Sequence, residues 1–276
     1  MVTQGQDIQT VEAEHLLQVY RRVPIVLTHG KGSYVYDIEG HAYLDFLSGI
    51  GVASLGHAHP GLATALGEQA RTLLHTSNLY FHPLQGQVGR RLTALSGLPR
   101  AFFCNSGTEA VEGCLKFARR YWHTRGETAR TRIVALERSF HGRTFGSLSV
   151  TWEPGYRAPF EPLLEGVAFV SPTDPDALET AVGSDVAAII LEPIQGEGGV
   201  WPLSPEFADA VKTAKAAETT TVIYVETDPL VYAPDSHSWW DVPVSEVSTL
   251  ESTQRAYQRY ADWKKVQRPL VNPSDR

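Results

Sequence analysis

The sequence predicts an α/β protein built on a mostly parallel sheet with helices on both faces. Short, continuous apolar runs stand at Arg132-Ile-Val-Ala-Leu136, Val167-Ala-Phe-Val170 and Ala187-Ala-Ile-Ile-Leu191. They alternate with segments of helical spacing, and apolar strands set between helices are the pattern of a parallel sheet buried on both sides. Polar or glycine-rich loops follow the strands, and in such sheets ligands bind beyond the carboxyl ends of the strands.

Taken in order, residues from about Ile8 to Arg22 carry a helical pattern through Val11, His15, Leu16 and Val19, ended by Pro24. Ser33–Asp37 and His41–Asp45 predict a hairpin across Ile38-Glu39-Gly40. The small-residue stretch from Ser48 ends at Pro60, which starts a helix running to about Leu74. A second helix is predicted from Pro83 to Leu95, with Val88, Leu92 and Leu95 on one face. Ala101-Phe-Phe-Cys104 has strand length and breaks at Asn105-Ser106-Gly107 into a further helix. There Ala110, Val111, Cys114, Leu115 and Ala118 share a face, while Glu112 and Lys116 form an i,i+4 pair. After the apolar strands, Pro205–Ala217 reads as an alanine-rich helix. The character of the chain then changes to a strand at Thr219–Val225, an aromatic loop holding Trp239-Trp240, and a helix from Thr249 to Val266.

At 276 residues the chain has room for one large domain or two ordinary ones. Its 42% apolar and 20% charged residues are those of a globular protein, and a net charge of -7 argues against a nucleic-acid surface. No apolar run approaches a membrane span, and MVTQGQDIQT lacks the features of a secretory leader. The expectation is a soluble, cytoplasmic protein. Cys104 and Cys114 make neither a disulfide framework nor a zinc site, so no metal is expected and both are predicted to pack in the core.

Three loops follow strand ends and are the places to look for chemistry. In Asn105-Ser106-Gly107-Thr108, a strand feeding a helix leaves amides pointing outward, an arrangement that favours phosphate. Ser106-x-x-Glu109 is also an ordinary capping box, whose Glu109 competes for the same positive end. Phe140 and His141 are flat side chains, one of which can stack on an aromatic ligand. The alternative is that Phe140 packs and His141 lies on the surface. Arg143 suits a forked pair of hydrogen bonds to a carboxylate, or a solvated surface position. Glu192 and Glu197 flank a glycine-rich turn. Glu197 can hold an arginine or polarise a ligand, and Glu192 can satisfy amides of the turn.

In this order, NSGTEA, SFHGRT and LEPIQGEGGV resemble the class III pyridoxal-phosphate-dependent aminotransferases, in particular the acetylornithine and ornithine type. YLDFLSGIGVASLGHAHP and HTSNLYFHP extend the resemblance, which covers about Val19 to Ala217. It implies fold type I, here an incomplete large domain with a mostly parallel sheet plus the N-terminal part of the small domain. It further implies pyridoxal 5'-phosphate as cofactor, amino transfer from an amino-acid donor to 2-oxoglutarate, and a homodimer or pairing with a related subunit. By the same resemblance Gly107 and Thr108 donate to the cofactor phosphate. Phe140, with His141 beside it, stacks on the ring, and Glu192 stands near the ring hydroxyl. Arg143 holds a substrate carboxylate, Glu197 lines the substrate pocket, and Ser77 and Asn78 lie near the dimer interface. The implied division is 1–48 as an N-terminal small-domain segment with the hairpin, 49–217 as a partial cofactor-binding domain, and 218–276 as an unrelated tail.

The chain departs from the family pattern downstream. The family's Asp on the pyridine nitrogen has no counterpart motif in Val222-Ile-Tyr-Val-Glu-Thr-Asp228, although Glu226 and Asp228 are carboxylates in that place. The lysines are Lys31, Lys116, Lys212, Lys215, Lys264 and Lys265, none in a context like the family's Schiff-base lysine loop. Loss of that amine removes the covalent anchor and the base for proton movement. The chain is therefore predicted to be inactive alone, the alternatives being a non-catalytic remnant or fusion product with residual phosphate binding, or a dimerisation partner of a full-length aminotransferase. The tail, about 221–265 with SWWDVPVSEVSTL, resembles the C-terminal end of the thiamine-diphosphate-dependent trihydroxycyclohexanedione hydrolases. A sheet cut short would expose an edge and apolar faces, which predicts aggregation or dependence on a partner.

Overall fold

Why the hairpin forms where it does is visible in one buried carboxylate. In the computed structural model, which describes residues 5–216, 221, 222 and 258, Asp37 accepts from the amide of His41 at 2.8 Å and from the Tyr43 hydroxyl at 2.8 Å. It also bonds the His41 ring at 2.9 Å. Burial pushes the Asp37 carboxyl up, but the bonds from Tyr43 and His41 outweigh it and hold the group at about 2. The hairpin strands β2 (Tyr34–Asp37) and β3 (Ala42–Leu44) pair antiparallel, and β1 (Leu27–Lys31) joins the other side of β2. Leu-Thr-His-Gly-Lys lacks the alternation that announces a half-buried strand, so β1 is not legible beforehand. Lys31 ends that strand and is exposed.

The described residues fall into two compact units, one up to Phe81 and one from His82. The first also holds α1 (Gly5–His15), which stops short of the predicted Arg22, a short turn α2 (Ser48–Gly51), and α3 (Pro60–Thr72). The second begins with α4 (Pro83–Ser96). Both α3 and α4 start on proline and are capped by the preceding histidine, with His59 accepting from the Leu62 amide and His82 from the Leu84 amide.

The second unit continues through α5 (Gly107–Thr124), β4 (Arg132–Leu136), α6 (Phe145–Ser149), α7 (Pro154–Arg157), β5 (Val167–Val170) and α8 (Pro175–Ala181). It closes with β6 (Val186–Ile190), β7 (Ile194–Gln195), β8 (Trp201–Pro202), α9 (Pro205–Ala216) and β9 (Thr221–Val222). Strands pair in the order β5-β4-β6-β9, all parallel. Successive side chains of β4 enter opposite cores, as a strand buried on both faces requires. Ile133 and Ala135 pack with Leu115, Ala118 and Trp122 of α5, and Val134 and Leu136 with Leu178, Ile189, Phe207 and Val211. The Trp122 indole N–H donates to the Ala187 carbonyl at 2.8 Å, tying α5 to β6 inside the core.

Several expectations are corrected here. Ala101–Cys104 is exposed and forms no strand ladder among the described residues. An apolar run has the same composition whether or not a neighbouring strand pairs with it. Phe102 instead lies edge-on to Phe117 of α5, centroids 5.4 Å apart. Cys104 is exposed and Cys114 half-buried, so they do not form a core pair. The Trp239-Trp240 loop and, save for Gln258, the final helix lie outside the described residues. No described helix is long and apolar enough to cross a membrane.

Candidate active site

The three loops chosen from the sequence are joined in the second unit by side-chain hydrogen bonds. Ser106 caps α5 by accepting from the Glu109 amide, and Glu109 accepts in return from the Asn105 amide at 2.7 Å and the Asn105 side chain at 3.2 Å. These bonds, the Asn105 side chain first, lower the Glu109 carboxyl below its ordinary range. The capping box is therefore formed, and Glu109 is held on the Asn105 side of the turn. The amides of Gly107 and Thr108, in the first turn of α5, have no intrahelical acceptor. A β-carbon built on Gly107 meets nothing within 4 Å, so the space over that turn is open.

Thr108 ties this turn to the second loop. Its hydroxyl lies 2.6 Å from Ser147 Oγ and 2.9 Å from Thr144 Oγ1. Gly142, at φ +124°, makes this approach possible. Glu112 does not act through the i,i+4 spacing read from the sequence. Its Oε1 accepts from Thr144 Oγ1 at 2.5 Å and from the amides of Gly146 and Ser147 at 2.9 and 3.1 Å, capping α6.

Glu192 joins the second loop to the third. Oε1 accepts from the Phe140 amide at 2.8 Å and Oε2 from the Gly196 amide at 3.2 Å. Burial pushes its carboxyl up against the lowering effect of those two bonds. Gln195, fully buried, donates to the Glu137 carbonyl at 2.7 Å and adds a second link that the sequence reading missed. Phe140 is half-buried, whereas His141 is buried rather than on the surface. The His141 amide donates to Thr151 Oγ1 at 2.9 Å, its Nε2 has no hydrogen-bond partner among the described residues, and burial lowers the ring to about 4. The imidazole is thus neutral at ordinary pH.

Arg143 is exposed, with its guanidinium 3.5 Å from the Tyr156 ring centroid and 5.8 Å from that of Phe140. It makes no ion pair among the described residues, which leaves its fork of donors free for an external acid. Glu197 is exposed on the third loop. Ser77 and Asn78 belong to the first unit and are exposed, with Ser77 in the left-handed region at φ 57°.

A parallel sheet with a helix amino end, an aromatic ring and a clamped carboxylate gathered by the loops beyond its strands defines an α/β ligand-binding site suited to a phosphorylated aromatic molecule. The family model for aminotransferase class III matches residues 17–226, and the chain belongs to that family. It is 44% identical over 216 residues to an acetylornithine aminotransferase of Methanocaldococcus jannaschii, covering 78% of this chain and 54% of that protein. It is 46% identical over 203 residues to one of Caldanaerobacter subterraneus, covering 74% and 52%. Among solved structures, the ornithine aminotransferase of Toxoplasma gondii superposes with a TM-score of 0.74 at 31% identity, over 79% of this chain and 52% of that one. That structure has partial occupancy of PLP, pyridoxal phosphate, at its active site. The fold is type I, and the chain spans about half the length of the curated relatives it matches. Pyridoxal phosphate is the cofactor of the family, and the donors present fit it: two unclaimed amides under open space for the phosphate, and a half-buried ring for stacking.

Proposed function

We propose that the chain carries the phosphate- and ring-binding part of an acetylornithine/ornithine-type aminotransferase and that these 276 residues by themselves bind pyridoxal phosphate without transferring an amino group. Gly107 and Thr108 hold the phosphate by their amides. Phe140 stacks on the ring over buried His141, and Glu192 sets the height of Phe140 by gripping its amide. Arg143 swings from Tyr156 to a substrate carboxylate, with Glu197 beside it. When bound, the cofactor supplies the electron sink for moving an amino group between an amino acid and 2-oxoglutarate. The observation that carries this reading is the Glu192 clamp, which joins two of the three loops at the strand ends.

Inactivity rests on the lysines. Lys31, Lys116 and Lys212 are exposed, and Lys212 is paired with Asp209 at 3.3 Å. Lys215 side-chain contacts and all of Lys264, Lys265, Glu226 and Asp228 lie outside the described residues. On this reading residues 1–48 are the N-terminal segment, 49–217 the partial cofactor domain and 218–276 a fused tail, in a cytoplasmic protein. The test is an absorbance titration of the purified chain with pyridoxal phosphate, followed by borohydride reduction, lysine mapping and a glutamate-formation assay. A shifted cofactor spectrum with no lysine adduct and no glutamate is expected. An adduct with turnover overturns the inactivity, and an unchanged spectrum overturns the binding.

A second reading, dimerisation with a full-length aminotransferase, is favoured by Leu79, Tyr80 and Phe81, which stand exposed immediately after Ser77 and Asn78. Co-elution of the two chains in size-exclusion chromatography tests it, and separate elution refutes it.

A further inference from the structure

The hydroxyl cluster beneath the phosphate turn has a proton order that can be worked out. Thr108, Thr144 and Ser147 each bring one O–H proton, and Glu112, as a carboxylate, brings none. Thr144 Oγ1 therefore donates to Glu112 Oε1 at 2.5 Å and can only accept from its other neighbours. One proton lies between Thr108 Oγ1 and Ser147 Oγ at 2.6 Å. If Thr108 provides it, Ser147 donates to the Thr144 carbonyl at 3.1 Å or to Thr144 Oγ1 at 2.9 Å. If Ser147 provides it, Thr108 donates to Thr144 Oγ1 at 2.9 Å. In both arrangements the Thr108 proton stays inside the cluster, and the Thr144 amide approaches the Thr108 oxygen at 3.3 Å. The Thr108 side chain is thus turned inward, leaving the amides of Gly107 and Thr108 to face a phosphate.

We propose that Glu112 is a positioning residue for the cofactor phosphate: as the acceptor that ends the hydroxyl chain, it fixes the Thr108 side chain inward and locks the first turn of α5 to the loop carrying Phe140 and Arg143. Without it, Thr144 regains a free proton, the amides of Gly146 and Ser147 lose their acceptor, and the turn is no longer held to that loop. The inference deepens the reading above and rests on it.

All three donors reach the same oxygen of Glu112, so Glu112→Gln can keep every bond through its amide oxygen, whereas Glu112→Ala keeps none. Affinities for pyridoxal phosphate and for pyridoxal, which lacks the phosphate, are measured by absorbance titration on the wild-type chain and both variants, with far-UV circular dichroism confirming the fold. Expected is a loss of ~10-fold or more for pyridoxal phosphate in Glu112→Ala. Pyridoxal affinity should be unchanged, and Glu112→Gln should retain most of the wild-type preference for the phosphate. Should Glu112→Ala fail to fold, Thr144→Val, which removes one donor at constant shape, takes its place with the same expected selectivity. Equal losses for both ligands, or no loss for either, would overturn the positioning role. A wild-type chain that shows no preference for the phosphorylated ligand would instead overturn the function proposed above, and with it this inference.

Discussion

Gly142→Ala tests the joint between the phosphate turn and the aromatic loop. The backbone at Gly142 has φ +124°, where a side chain costs about 1–3 kcal/mol. An added β-carbon would stand 2.3 Å from Thr108 Oγ1 and 2.7 Å from both Thr108 Cβ and Ser147 Oγ, with no flexible end to retreat. Ordinary carbon contacts begin near 3.5 Å, so Thr108 must move by roughly 1 Å. That movement breaks its hydroxyl bonds to Ser147 and Thr144, each worth about 0.5–1.5 kcal/mol. Together these effects centre on about 4 kcal/mol, a large part of the ~5–15 kcal/mol by which domains are stable. At about 2–4 °C per kcal/mol for a domain of this size, the melting temperature should fall by about 8–16 °C. A circular dichroism melt reads this directly, and pyridoxal phosphate binding should weaken in parallel below the melt. If the variant melts within about 2 °C of wild type, the close packing of Thr108 against Gly142 is refuted.

Two further outcomes separate folding from binding. Gly107→Ala adds a methyl to open space in the first turn of α5, so stability should hold or rise by about 0.4–1 kcal/mol. Pyridoxal phosphate affinity should fall ~10-fold or more as the methyl occupies the phosphate's place; unchanged affinity would show that the phosphate does not bind there. His141 takes up a proton near pH 6.5 in the unfolded chain but only near 4 when folded, so the unfolded state binds more protons between those values. Stability is whole above about pH 6.5 and declines as pH falls towards 4, by about 3 kcal/mol in all. Urea midpoints across this range should drop for wild type and flatten in His141→Phe, and equal slopes in the two would refute the assignment.

The sheet was legible because its strands carry their signal in consecutive residues. Arg132–Leu136 and Val167–Val170 are apolar throughout and bounded by polar or glycine residues, so both strands fall where expected. The third run is displaced by one residue, to Val186–Ile190. The site loops were legible as whatever follows a parallel strand. Ala101–Cys104 shows the limit of the same signal, since its apolar residues announce a strand but not whether a partner stands beside it.

By itself, then, the sequence determined the strand-and-helix alternation, the three loops at the strand ends and the family motifs, all of which lie in local order. Only the tertiary structure decided that Glu112 serves a helix more than thirty residues away rather than Lys116, that His141 is buried and neutral, and that Glu192 holds Phe140 across 52 residues of chain. The reason is physical. Periodicity reports which side of an element is apolar, whereas the partner of a carboxylate and the burial of a ring depend on what distant segments bring against it.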